Sequence, residues 1–219
     1  MLIDTKNSVN TEMMHLKMHT QNRAKSPVFP SLLTIDKLAP HPKITMRVCK
    51  FTQESLAVTR QAWLASATEL DMPVLDYEVT LDWTASHLEY ETVQGDSLAY
   101  AIMNGEDTAL AILEIVYTKR AGPDVGWLKM LSIKLSPEFS PAEIDGKPEK
   151  ILAVVGMYTA AITGTLQLTN SHNARVVKLY GRDNNLSALL KAIKEQLETL
   201  AAEKFEVEFN GRWLVISAK

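Results

Sequence analysis

The sequence predicts an α/β fold, a sheet with helices packed on it. Three observations carry that expectation. Asn104-Gly105 and Asn210-Gly211 each stand between runs of strand-forming residues, and Asn-Gly suits the positive φ angles of a tight β-hairpin. Long stretches elsewhere repeat apolar residues at helical spacing. The two kinds of segment alternate: strand, helix, helix, three strands, helix, strand, helix, hairpin.

Composition bounds the function classes. The chain has 219 residues, 46% of them apolar, enough to bury a core. A formal charge of −3 argues against a nucleic-acid binder held by phosphate contacts. One cysteine, Cys49, excludes an intrachain disulfide framework and a Cys-based zinc cluster. No run of 18 apolar residues suggests a membrane span, and no charged start with an apolar run suggests a secretory signal. These features fit a soluble, cytoplasmic protein with no nucleic-acid or membrane partner.

The elements follow in order. Residues 1–43 read as an extended or partly disordered arm, polar and carrying Pro27, Pro30, Pro40 and Pro42. The folded domain is expected over 44–219. Residues 44–48 alternate and read as a short strand. Thr52 precedes a helical run through Leu56, Trp63 and Leu64 to Leu70, and Pro73 stops it. A second helix is expected over about 76–93. Strands over 97–103 and 108–119 flank the first Asn-Gly turn. Gly122-Pro123 makes another turn, and 127–135, apolar on both faces, reads as a central strand. These three strands form an antiparallel meander.

After Pro148, Ile151, Val155, Tyr158, Ile162 and Leu166 fall at helical spacing. The β-branched content there also allows strands. Gly156 and Gly164 would let such a helix pack closely. Residues 175–180 read as a short buried strand. Asn184 or Asn185 then opens a helix with Leu186, Leu190, Ile193 and Leu197 on one stripe. Residues 205–209 and 212–217 flank the second Asn-Gly turn.

Two local patterns sharpen this order. Leu135-Ser136-Pro137-Glu138-Phe139 ends the central strand, and a late strand runs into Asp183-Asn184-Asn185 before an amphipathic helix. In these features the chain resembles the GNAT superfamily of acyl-CoA-dependent acyltransferases, over about residues 44–219. The resemblance implies a mixed, mostly antiparallel central sheet whose two central strands open. It implies an acyl donor, acetyl-CoA or another acyl-CoA, or a carrier-bound pantetheine thioester. It implies an amine acceptor and no metal. The donor's pantetheine arm would lie on the backbone near Ile133 and Leu135. Its pyrophosphate would lie near Ser140, Ile144 and Gly146, with Asn184 opening the helix opposite.

The sequence departs from the family's loop, which presents Arg or Gln and two glycines. Here stand Ser140-Pro141-Ala142-Glu143-Ile144-Asp145. Pro141 removes one N–H from a cradle of backbone donors. Glu143 and Asp145 bring negative charge toward a polyanion. At an effective dielectric of about 20, like charges about 5 Å apart repel by roughly 3 kcal/mol. Gly146, Lys147 and Lys150 would offset this if the helix starts near Lys150. The Tyr that many members carry seven residues after the helix-opening Asn is replaced by Lys191 or Ala192.

Acyl transfer to an amine needs a base and donors to the thioester carbonyl. Glu114, inside an apolar run, is the base candidate; burial of its carboxylate there would raise its pKa. The alternative places it at an edge or beside Lys129. Tyr180 is the candidate acid, with Tyr117 a second phenol near a strand end. Asp183 caps the following helix. His87, between Trp83 and Tyr90, either borders an acceptor pocket or is a satisfied histidine. His15 and His19 lack a third metal ligand, while His41 and His172 sit in loop-like sequence. Trp127 and Trp213 read as core or interface, and the apolar C-terminal hairpin with Trp213 fits a homodimer. The competing functional class is a GNAT-like binding or regulatory module without catalysis.

Overall fold

A computed structural model of the chain describes residues 46–88, 97–103, 105, 107–119, 126–182 and 184–219. The arm, the end of the second expected helix, Asn104, the Gly122-Pro123 turn and Asp183 lie outside the described residues.

Seven strands form one sheet: β1 (Arg47–Lys50), β2 (Ser97–Met103), β3 (Ala109–Lys119), β4 (Gly126–Leu135), β5 (Ala174–Tyr180), β6 (Phe205–Asn210) and β7 (Trp213–Ala218). Their spatial order is β1-β2-β3-β4-β5-β7-β6. Among these neighbours β4 and β5 run parallel, while the other pairs are antiparallel. The apolar strand expected to be central, β4, lies in the middle of the sheet. The first strand is described from Arg47 to Lys50, two residues later than the alternation placed its end.

Two helices cover one face of the β1–β3 half. Thr52 caps α1 (Gln53–Glu69) reciprocally: Ser55 N–H donates to the Thr52 hydroxyl at 3.1 Å, and Thr52 N–H donates to Ser55 Oγ at 2.9 Å. The helix ends at Glu69, before Pro73; Leu70 is its C-cap and Asp71 follows with a φ of +52°. Pro73 instead opens α2 (Val74–Ala85). This helix ends before its expected limit. His87 N–H donates to Thr84 O in a tighter turn, and Ser86 Oγ donates to Trp83 O at 2.7 Å, so side chains replace the next helical bonds. Leu56, Trp63, Tyr77 and Leu81 pack on Ala101, Met103, Ala109 and Ile112. Trp63 Nε1 donates to Ala109 O at 2.8 Å, so its buried N–H is satisfied.

The opposite face carries α4 (Pro148–Ser171) and α5 (Asn184–Ala201). Helical spacing therefore prevails over β-branched content in 148–171. By length and composition α4 could cross a membrane. Here Met157, Ala161, Ile162 and Leu166 join Leu113, Ile115, Leu128, Met130, Val177 and Leu179 in the larger core. Gly164 explains how closely α4 meets the sheet edge. A Cβ added there would lie 2.3 Å from Val48 Cγ2. Leu186, Leu190 and Leu197 of α5 close the same core over β5, β6 and β7.

Candidate functional site

The site begins where β4 and β5 part. Their parallel pairing runs from Gly126↔Ala174 to Met130↔Leu179. Beyond that rung β4 continues to Leu135, paired only with β3. The cause is local. Glu114 pairs with Ser132 and Ile115 with Met130, which leaves Leu131 as an extra residue in β4. A bulge of this kind bends its strand and strengthens the twist. Burial changes at the same point: Leu128 and Met130 are buried, but 131–135 are half-exposed. On the other side β5 turns away after Tyr180, where Gly181 N–H donates to Arg212 O at 2.8 Å. A Cβ at Gly181 would meet Ser187 Oγ at 2.5 Å, so glycine lets α5 close under this corner.

Glu114 stands beside the opening. It belongs to the opposite sheet face from its neighbours Leu113 and Ile115, which are core residues. Its carboxylate is held at both oxygens: Ser97 Oγ donates to Oε1 at 3.1 Å and Ser132 Oγ to Oε2 at 3.1 Å. The expected apolar surroundings are thus corrected to a half-buried position between two hydroxyls. Alternation turns a carboxylate out of an apolar run onto the other face. Lys129 is not the partner found: its Nζ lies 5.9 Å from the Trp127 ring centroid.

Tyr180 lies across the opening, one residue past the last rung, and its ring meets Trp213 at 4.8 Å between centroids. Ile133 and Leu135 lie on the open stretch of β4, with side chains against the larger core. Lys134, between them, places Nζ 4.7 Å from the Tyr77 ring centroid. Asn184 is the first residue of α5 and is exposed. Tyr117 is not at the opening. Its ring lies tilted against His172, 5.6 Å between centroids, and crowds Gly126, at the far end of β4. His87 follows the second helix, its Nδ1 2.6 Å from Trp83 O and its ring stacked on Trp83 at 4.5 Å. This is the satisfied histidine of the two alternatives. Lys191 is exposed on α5.

The loop after β4 holds a turn of 3-10 helix (Pro137–Phe139) and the short α3 (Pro141–Ile144). Ser136 N–H anchors it to Leu110 O at 2.9 Å. Ser140 is buried, and its Oγ has no hydrogen-bond partner among the described residues. Ile144 ends α3, and Gly146 turns the chain into α4 with a φ of +67°. Glu143 is neutralised in place: its Oε2 accepts from Lys147 Nζ at 3.2 Å and Lys150 Nζ at 3.4 Å. The hydrogen bond and charge of Lys147, then those of Lys150, hold its carboxyl below the usual range. Lys150 Nζ also donates to Glu138 O at 2.9 Å.

Sequence reasoning missed three relationships. Ser97 and Ser132 carry no motif; only their shared face with Glu114 could have suggested them. The Tyr180–Trp213 pair depends on the β5–β7 register. His172, assigned no role, is buried, with Nε2 3.0 Å from the Tyr100 hydroxyl and no partner for Nδ1 among the described residues. Burial, then the charge of Lys50, lowers its pKa. Tyr100 is pushed up to about 12 by burial. Among the described residues no group of His, Cys, Asp and Glu could hold a metal ion.

The resemblance implied a mixed, mostly antiparallel sheet with two opening central strands; the structure adds that the opening pair, β4 and β5, is parallel. The fold is a mixed, mostly antiparallel seven-stranded sheet flanked by helices. No family model matches the chain, and no curated protein matches it. Solved structures do. A possible acetyltransferase from Clostridium difficile is 16% identical, with 76% of this chain and 94% of that one covered and a TM-score of 0.40. The ribosomal-protein-S5-alanine acetyltransferase from Vibrio fischeri is 11% identical, with 80% and 92% covered and a TM-score of 0.40. A GNAT family acetyltransferase from Brucella melitensis, in complex with acetyl-CoA, is 12% identical, with 78% and 87% covered and a TM-score of 0.31. The sheet brings the opening, the loop and Glu114 together, because β4 borders the opening, leads into the loop and pairs with Glu114 of β3.

Proposed function

We propose that the protein is an N-acyltransferase that moves an acyl group from acyl-CoA, or from a carrier-bound pantetheine thioester, to an amine. The opening beyond Met130 and Leu179 carries this reading. A strand without a neighbour offers backbone N–H and C=O groups to an amide-bearing arm, as a missing strand would. The open stretch at Ile133 and Leu135 is that surface.

The chemistry assigns roles to the chain's own groups. The acceptor must shed a proton to attack as a neutral amine. Glu114, held between Ser97 and Ser132, takes it directly or through water. The amine nitrogen bonds to the thioester carbon, the carbonyl becomes an oxyanion, and backbone N–H on open β4 stabilises that charge. The carbon–sulfur bond then breaks, the Tyr180 hydroxyl supplies the proton that converts the thiolate to thiol, and the Tyr180 phenolate recovers a proton from the amide nitrogen, directly or through water. The products are an amide and free thiol.

The donor end fits unevenly. Ser140 offers a buried hydroxyl without a found partner, and Lys147 and Lys150 offer charge. Pro141 and Pro148 each remove a backbone donor, and Glu143 engages both lysines. This favours a second reading, a GNAT-like binding module, or a donor that reaches the site through its pantetheine arm alone.

Thermal unfolding with coenzyme A and acetyl-CoA tests the reading. A ligand at a hundred times its Kd stabilises the folded state by about 2.7 kcal/mol, several degrees for a chain of this size. Release of free thiol in the presence of an amine then separates enzyme from binding module. No shift at millimolar CoA and no thiol release from acetyl-CoA or acyl-pantetheine would overturn the proposal.

A further inference from the structure

We propose that the acceptor is a primary monoamine carried on an aromatic body, and that Tyr180 and Trp213 bind that body. The inference rests on the acyl-transfer reading and adds the class of acceptor. Tyr180 pairs with Trp213 in the β5–β7 ladder, and their neighbours Leu179 and Leu214 point into the core on the other face. Glu114 leaves that core in the same way, between Leu113 and Ile115. The two aromatic rings and the carboxylate therefore project from one sheet face.

They also stand at one level along the strands. Tyr180 lies one residue past the last β4–β5 rung, and Glu114 pairs with Ser132, two residues past it. An amine poised between Glu114 and the donor can extend its substituent across this sheet face toward β5. There it meets two half-exposed rings 4.8 Å apart and tilted by 43°. A flat ring can stack on or edge against this pair, whereas an alkyl chain gains less.

Cations outnumber carboxylates at this corner, where Glu208 of β6 shares the face of Trp213. Lys134 lies over Tyr77 beside the opening. Arg182 follows Tyr180, Arg212 precedes Trp213, and Arg212 Nη1 donates to Arg182 O at 2.8 Å. A second ammonium near this rim meets like charge. One carboxylate, an aromatic wall and a basic rim together suit one amine and one ring.

Thiol release is measured with acetyl-CoA and 2-phenylethylamine, butylamine or spermidine. The expected kcat/KM for 2-phenylethylamine exceeds that for butylamine by about tenfold, the scale of one aromatic contact. Trp213→Ala brings that ratio to about one, and Trp213→Phe, which keeps a ring, retains it. Equal use of butylamine, preference for spermidine, or a ratio unmoved by Trp213→Ala would overturn the inference. If no amine is acylated, the acyl-transfer reading fails by itself. Equilibrium titration of the full chain with 2-phenylethylamine and butylamine then decides the aromatic site: equal affinities overturn it, and a preference lost in Trp213→Ala but kept in Trp213→Phe supports it.

Discussion

Ser132 stands directly opposite Glu114 in the β3–β4 ladder, and its hydroxyl donates to Glu114 Oε2 at 3.1 Å. The bulge at Leu131 brings them together as it bends β4 away from β5. One irregularity thus opens β4 toward β5 and places Ser132 against Glu114. Glu114→Gln keeps the size and the serine contacts but removes the base. It should lower kcat/KM for acyl transfer by roughly 10²–10⁴, with the melting temperature little changed. Ser132→Ala should cause a smaller loss, because Ser97 still holds the other oxygen. Thiol-release kinetics beside thermal unfolding check both; full activity in Glu114→Gln would remove Glu114 from the mechanism.

Glu143 sets the charge of the loop after β4, which the proposed function places at the donor. Its carboxylate occupies Lys147 and Lys150, which would otherwise face an incoming polyanion beside Ser140. Glu143→Gln should improve the KM for acetyl-CoA by about threefold at low salt, an effect that fades as the Debye length shrinks toward about 8 Å. Lys150→Ala should move KM the other way. A KM indifferent to both changes would place the diphosphate elsewhere.

His172 makes stability depend on pH. Burial lowers its pKa in the folded chain below the unfolded value of about 6.5. The unfolded state then binds the proton more readily. This part of the stability is present above the unfolded pKa and is lost as pH falls below it, by up to about 1.4 kcal/mol per pH unit. Tyr100, held near 12, stays protonated throughout and keeps its hydrogen bond to the neutral ring. Urea unfolding from pH 8 to pH 5 should show the decline, and His172→Gln should flatten it. A parallel decline in the variant would assign the effect to other groups.

Gly164 carries the contact between α4 and β1. A methyl group there would enter the space of Val48 at 2.3 Å. Gly164→Ala gains about 1 kcal/mol of helix propensity but forces an overpacked contact costing about 1–3 kcal/mol. The expected net change is destabilising, and Val48→Ala in the same chain should relieve it. Denaturant unfolding of the single and double variants measures the coupling, and independent additive effects would refute it.

Nearly every element was legible in the sequence. Hairpin turns, proline positions and the periods of 2 and 3.6 are local properties of the chain, so they locate strands and helices before any long-range contact forms. The alternation that buries Leu113 and Ile115 already sends Glu114 to the other face. What periodicity cannot carry is register. Whether Glu114 meets Ser97 and Ser132, far from it in sequence, depends on which rungs pair and where Leu131 interrupts them. The same holds for Tyr180 beside Trp213, for Tyr117 of β3 beside His172 and away from the opening, and for Glu143 paired with two lysines. The sequence by itself determined the elements and their faces. Only the tertiary structure decided which groups share the opening, because a shift of one residue along a strand reverses every side chain on it.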